Sequence, residues 1–387
     1  MTEHFSTPLY FAQRYFNLQA TLVPFPSGTG HMITALHAGE IDVGIGLTEG
    51  WVAGLAKALR EGGGPATTTT PTTTTTATTK TATSTSTSVS AGAGAEKNPA
   101  GYILVGTYVE TPLCWAISTG ADRDEVRDVA DLRGANVGVS RLGSGSHVMS
   151  FVLADQQGWL GEQQAKEGGG EKFSFVPLQT FAALREGVGG RSRKADFFMW
   201  EYFTSKRYFL PVSPVPPCPS TTKDASDPVL HPVLHPIKKI SEIYTPWSSW
   251  KIVASTTRFP SLLHTLTAAP AAAPAEPPEL TSLFNALNGG INHFAANPEE
   301  SIRYISHELD YTEEDARAWL DTVRFAHDVR GVKIAVVRDT LRVLRAAGVV
   351  PSRQSVAGAV EAGEEREGRD EEMEADVRKM VAFERLE

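Results

Sequence analysis

The chain has 387 residues, 41% of them apolar, and a formal charge of −9. That length suits two domains better than one core, and no apolar run reaches the 18 residues of a membrane span. The charge gathers at the end, where residues 361–387 hold eleven acids and five bases. The rest is near neutral, and no basic stripe invites a nucleic-acid backbone.

In chain order, Met1 to Phe5 shows neither a basic region nor an apolar run. No secretory signal is expected, and the expected compartment is the cytoplasm. Ala20 to Phe25 reads as a strand, Ser27-Gly28-Thr29-Gly30 as a turn, and His31 to His37 as a short helix ended by Gly39. Ile41 to Gly46 reads as a strand, and Thr48-Glu49-Gly50 turns into a helix over Trp51 to Arg60. Residues 62–98 are dominated by Thr and Ser. With so little apolar surface they cannot offset their ordering entropy, so composition predicts disorder. Tyr102 to Val109 and Asn136 to Val139 are strands. A Gly/Ser loop then leads to a helix over His147 to Gln157. Phe173 to Val176 is a strand, Phe181 to Glu186 a helix, and Ala195 to Met199 a strand. This β-turn-α rhythm predicts an α/β fold with mainly parallel sheets flanked by helices. Residues 211–236 are proline-studded, and 268–278 are an Ala/Pro run; both read as loop insertions. His231 and His235 are spaced for a metal on a helix, but Pro232 argues against the helix. Near the end, Asn297-Pro298 opens one helix. Thr312 to Asp315 caps another, ending near Ala326. Val337 to Ala347 is a third, stopped by Gly348. The acidic tail reads as a solvated helix or a disordered end.

In open α/β sheets, ligands bind beyond the carboxyl ends of strands, where loops enter helices. Four such loops stand out. Ser27 and Thr29 bring hydroxyls to a Gly-rich helix start. Thr48 and Glu49 add a carboxylate at the next. Ser140, Gly143, Ser144, Gly145, Ser146 and His147 form the richest loop, and helix starts of this kind favour anions or carbonyl oxygens. Trp200 and Glu201 follow the Phe197 to Met199 strand. Each loop also has a plainer reading as a cap or tight turn, and the tryptophans as core. No P-loop, H-E-x-x-H, G-x-G-x-x-G or G-x-S-x-G pattern occurs, so no catalytic residue and no cofactor is assigned. Cys114 and Cys218 are too few for a metal cage and form no C-x-x-C pair, which reads as free thiols.

These same segments carry a resemblance. They include Glu3-His4-Phe5-Ser6-Thr7-Pro8-Leu9, Gly28-Thr29-Gly30, Gly39-Glu40-Ile41-Asp42-Val43 and Leu47-Thr48-Glu49-Gly50-Trp51. The order continues through Gly106-Thr107-Tyr108-Val109-Glu110-Thr111-Pro112-Leu113, Val139 to His147, Phe198 to Thr204 and Tyr244 to Trp250. In this order they resemble the fungal, intracellular branch of the type II periplasmic-binding-protein-like superfamily. That superfamily also holds nitrate-, sulfonate- and taurine-binding proteins and the pyrimidine synthases of thiamine biosynthesis. The resemblance implies two lobes with a ligand cleft between them. Lobe I would be 1–117 plus 244–360, and lobe II 118–243, with 361–387 as a tail. Crossings would lie near Tyr108 to Trp115 and Tyr244 to Trp250, and Tyr108 joins the candidate ligand contacts. Relatives usually begin with a strand before the E-H-F segment, and that strand is expected to be missing here. The iron-binding cysteine motif of the pyrimidine synthases is absent too. The expected function is therefore cleft closure on a small polar or anionic solute without catalysis. The alternative is an enzyme of thiamine-precursor or related metabolism, needing a cofactor anchor such as a lysine.

Overall fold

The computed structural model describes residues 3–25, 28–60, 98–159, 173–190, 193–209, 235–266, 276–309, 311–350 and 364–385. Most of each predicted insertion lies outside these residues, as do Ser27, Cys218 and His231. Among the described residues, no helix is long and apolar enough to cross a membrane.

A 3-10 turn, Glu3–Ser6, runs into α1 (Thr7–Tyr15), with Pro8 in its first turn, where a missing N–H is harmless. α2 (Thr29–Ala38) ends at Gly39, whose φ of 70° is the left-handed cap glycine adopts freely. β1 (Val43–Leu47) leads directly into α3 (Thr48–Arg60), which buries Trp51, Val52 and Leu55. β2 (Tyr102–Val109) is buried along its whole length, as a strand covered on both faces must be. Then come β3 (Cys114–Gly120), β4 (Asn136–Val139), α4 (Gly145–Gln156) and β5 (Ser174–Pro177). They are followed by α5 (Phe181–Val188), β6 (Phe197–Glu201), the short α6 (Tyr202–Lys206), β7 (Ile237–Tyr244) and β8 (Trp250–Ser255). The chain closes with α7 (Pro278–Ala296), α8 (Pro298–Glu308), α9 (Glu313–Thr322), α10 (Ile334–Ala346) and α11 (Glu364–Met380). A Cβ on Gly290 of α7 would lie 2.2 Å from the Pro8 carbonyl oxygen, so only glycine lets α7 approach α1 this closely.

The strands form two sheets, ordered β1-β8-β2 and β5-β4-β6-β3-β7. β4 is parallel to β5 and β6, but β3 is antiparallel to β6 and β7, and β8 to β1 and β2. The architecture is α/β with helices flanking both sheets, and its strands are less parallel than the β-turn-α rhythm predicts. The reason is connectivity. β3 and β8 enter their sheets directly from the other sheet, without the crossover helix that a parallel neighbour requires.

Three other expectations change. Ala20 to Phe25 forms no strand; Leu22 and Val23 are 43% and 52% exposed. The β1 edge facing away from β8 has no described partner, so no ladder recruits this segment, and Pro24 lacks an N–H to offer one. α9 stops at Thr322, because the chain then runs along β2, where Val109 bridges Phe325 and Gly106 bridges Arg330. The charged tail is a helix, but not a solvated one: Met373, Val377, Met380, Val381 and Ala382 are buried. Asp376 of α11 meets Arg345 at 2.6 Å and Arg60 at 3.5 Å, and the Ala382 N–H donates to the Leu104 carbonyl. Apolar residues sparsely spaced among acids were enough to make one buried stripe.

Two short segments, 110–113 and 245–249, join the sheets and bond to each other. The Thr245 N–H donates to the Leu113 carbonyl at 3.0 Å, and the Leu113 N–H to Thr245 Oγ1 at 2.9 Å. The Ser249 N–H and hydroxyl both donate to the Thr111 carbonyl.

Candidate functional site

α3 and α4 start in different sheets, and their first turns face each other. Glu49, in the first turn of α3, is fully buried. A Cβ on Gly145, which opens α4, would lie 2.8 Å from Glu49 Oε1, 2.9 Å from the Trp115 ring and 3.0 Å from Leu47. The same loop meets the first sheet's helices at two more points. The Arg141 guanidinium lies against Gly30 of α2, and the Lys57 ammonium of α3 reaches Gly143. The loops that sequence singles out around Thr29, Glu49 and 140–147 are therefore brought together, and they are packed shut.

Most hydroxyls of these loops are already used. Thr29 Oγ1 accepts from the Leu47 N–H. Thr48 donates its hydroxyl to the Ser248 carbonyl and its N–H to the Ser249 carbonyl, fastening α3 to the second crossing segment. The Ser144 hydroxyl bonds the Arg141 carbonyl, and Ser146 Oγ accepts from the Ser140 N–H. Ser144 caps α4 without a side-chain bond to its first turn, so the opening N–H groups keep the positive end of the helix available. His147 Nδ1 accepts from the Gly143 N–H at 3.0 Å, while its ring packs on Phe151 and Phe175. Burial, helped by Lys57, pushes its pKa down to about 4. That neutral, packed imidazole shapes the loop.

Glu49 is the unusual group. Its Oε2 accepts from Trp247 Nε1 at 3.1 Å, yet its Oε1 is buried without a hydrogen-bond partner. Burial pushes its pKa up to about 7, with its own backbone N–H, Trp247 and Lys251 pulling the other way. Lys251 on β8 is only 1% exposed and donates to Ser248 Oγ. Burial lowers its pKa to about 7. Trp247 and Ser248 thus stand between a buried acid and a buried amine. The loop-centred reading missed Lys251 because it lies within a strand, and missed Trp247 as a partner because the contact spans two sheets.

Glu201 and Trp200 part company. Glu201 pairs directly with Trp115 across β6 and β3, so both project from one sheet face. Glu201 accepts from the Phe203 and Thr204 N–H groups and from the Thr204 hydroxyl, capping α6. His4 Nε2 lies 3.6 Å away, within a cage of Phe5, Tyr311 and Trp319. Burial alone would raise the Glu201 carboxyl, but His4 and Thr204 outweigh it and hold the pKa below the ordinary value. Trp200 points to the opposite face, stacked on Phe181 with ring centroids 5.2 Å apart, and does not reach the site. Strand alternation separates the two. Tyr108 is buried in β2, and its hydroxyl donates to the Phe5 carbonyl at 2.8 Å, an anchor for the opening turn.

Comparison with known proteins fits this geometry. A family model described as Ca3427-like PBP matches residues 115–211. A solved structure of the Candida albicans CA3427 gene product is 30% identical, with the match covering 100% of this chain and 95% of that one at a TM-score of 0.63. The chain belongs to the CA3427 family. That family has the generic periplasmic binding protein fold. The alkanesulfonate-binding protein SsuA of Xanthomonas axonopodis pv. citri, solved with MOPS, is similar at 14% identity, covering 90% of this chain and 92% of that one, with a TM-score of 0.54. SsuA of Escherichia coli is similar at 13% identity, 91% and 93% coverage and a TM-score of 0.51. No curated protein matches. The two SsuA proteins share the fold without closer likeness.

Proposed function

We propose that this protein binds a small polar or anionic solute between two lobes, 1–117 with 244–360 and 118–243, and releases it unchanged. The observation that carries this reading is the approach of Glu49 in α3 to Gly145 in α4. Two helix starts on separate sheets converge, and the crossing segments that join the sheets are short and mutually bonded, as a hinge requires. Thr29, Thr48, Glu49, Gly143, Ser144, Gly145, Ser146 and Glu201 would line the closed cleft. The sulfonate that SsuA holds on the same fold makes anionic solutes the first to try. The protein would work in the cytoplasm with no nucleic-acid partner.

The enzyme alternative has one observation in its favour, the buried amine of Lys251, since desolvated lysines serve as cofactor anchors. A bound chromophore on purification would favour it. The test of the binding reading is native mass spectrometry and thermal shift with sulfonates, inorganic oxyanions, pyrimidines and amino acids. A retained solute or a saturable rise in melting temperature supports it. No response to any of them overturns it.

A further inference from the structure

The two proposed lobes meet at a second place, where α6, within 118–243, faces the start of α9, within 244–360. The Lys206 ammonium of α6 donates to the Asp315 carboxylate of α9. The lysine side chain of this pair is 33% exposed and the aspartate 10%. Beside it, the hydroxyls of Thr204 and Tyr311 bond at 3.3 Å. The Thr204 hydroxyl gives its one proton to Glu201 Oε2, so Tyr311 is the donor. The Arg207 guanidinium lies 5.8 Å from the Tyr311 ring centroid.

Each side of this seam is complete without the other. Glu201 caps α6 through the Phe203 and Thr204 N–H groups, and Thr312 Oγ1 accepts from the Asp315 N–H to cap α9. Lys206 lies in the last turn of its helix and Asp315 in the first turn of its own, where each charge is favoured. Parting the pair therefore unfolds neither helix, and water already reaches the lysine. The seam is also tied to the cleft. α6 follows directly from Glu201, whose partner across the strands, Trp115, meets Gly145. We propose that Lys206 and Asp315, with Tyr311 on Thr204, form a latch that holds the lobes closed without solute, so that a solute enters only after the latch parts. This rests on the two-lobe reading above and adds how its closure is controlled.

Small-angle X-ray scattering of the full chain, shown by native mass spectrometry to hold no solute, provides the test. At low salt the wild type should scatter as the closed form. Lys206→Met and Asp315→Asn should each raise the open fraction about three- to fivefold, the weight of an ion pair whose lysine stays partly in water. The two together should add little, because each alone removes the same pair. Lys206→Arg keeps the charge and should stay closed. In about 1 M sodium chloride, where the screening length falls to about 3 Å, wild type should open while Lys206→Met should not respond. Thermal unfolding should barely separate the variants, which sets aside a fold defect as the cause. A radius of gyration unchanged in both single variants overturns the latch. So does a salt response that survives undiminished in Lys206→Met. If either result comes with a saturable melting-temperature rise on adding a solute, the latch fails and the cleft reading stands.

Discussion

Gly145 and Glu49 touch across the two sheets with no room for a methyl group between them. A Cβ at 145 would meet the Glu49 carboxyl, the Trp115 ring and the Leu47 side chain at 2.8–3.0 Å, closer than real contacts allow. These three neighbours belong to α3, β3 and β1, so no single side chain can step aside. Gly145→Ala should therefore disfavour the closed arrangement by about 1–3 kcal/mol, the usual range for overpacking. The proposed open arrangement, with the lobes swung apart about the crossing segments, would lack this contact. Ligand affinity should drop about tenfold or more while the melting temperature without ligand barely moves. Calorimetry beside thermal unfolding reads both, and an unchanged affinity would reject the closure argument.

Glu201 should matter through stability. It is buried, caps α6 through two N–H groups and one hydroxyl, and lies beside His4. Glu201→Gln keeps the shape but removes the charge and places an N–H₂ among donors. The expected loss at pH 7 is about 1–3 kcal/mol, as for a buried hydrogen-bonded acceptor replaced by a group that leaves its donors unmatched. The sign of the pH dependence follows from the lowered pKa. The stabilisation is fully present above the ordinary carboxyl value near 4.5 and is lost as pH falls through the lower folded value. Urea unfolding of wild type and variant should differ at pH 7 and converge in acid.

Much of this arrangement can be read from sequence, and the unread parts share a cause. Strand bounds such as Tyr102–Val109 and Asn136–Val139, and helix ends such as Gly39 and Gly348, follow from local pattern and cap chemistry. The helix-start loops that converge were also legible, because a Gly/Ser run before an apolar helix marks a helix N-terminus. Trp200 departs from the expectation because its face depends on the register Ala116↔Trp200, which no local pattern fixes. Ala20 to Phe25 departs from it because a strand needs a neighbour as well as a propensity. Glu49 was visible as a carboxylate, but its orphan oxygen is created by packing between α3 and α4.

The acidic tail offers a test of packing against charge. Val377 is wholly buried, and Asp376 is shared by Arg345 and Arg60. Val377→Asp would bury an unpaired carboxylate and should release α11 at a cost of about 3–5 kcal/mol. Asp376→Asn should cost only about 1 kcal/mol, because that cluster is partly solvated. Limited proteolysis should cut within 364–385 in Val377→Asp and spare the other variant. Equal protection of both would mean that charge, not the apolar stripe, holds the tail.

Lys251 makes the opposite prediction, a gain on removal. Its ammonium is enclosed in the middle strand of the β1-β8-β2 sheet, with Ser248 Oγ as partner, and burial lowers its pKa from 10.5 to about 7. Between those two values the unfolded chain binds the proton more strongly than the folded one. Wild-type stability should therefore rise as pH increases from 7 toward 10, and the desolvation penalty weighs most below 7. Lys251→Met fills the same volume without charge and should stabilise the fold by about 2 kcal/mol or more at pH 6, with the advantage shrinking by pH 9. Denaturant unfolding of the pair at both pH values measures this difference, and titrating groups that do not act on Lys251 cancel in it. If Lys251→Met is less stable than wild type at pH 6, the amine is held by more favourable contacts than Ser248 alone supplies. The buried acid and amine on either side of Trp247 and Ser248 would then have to be treated as one charged unit.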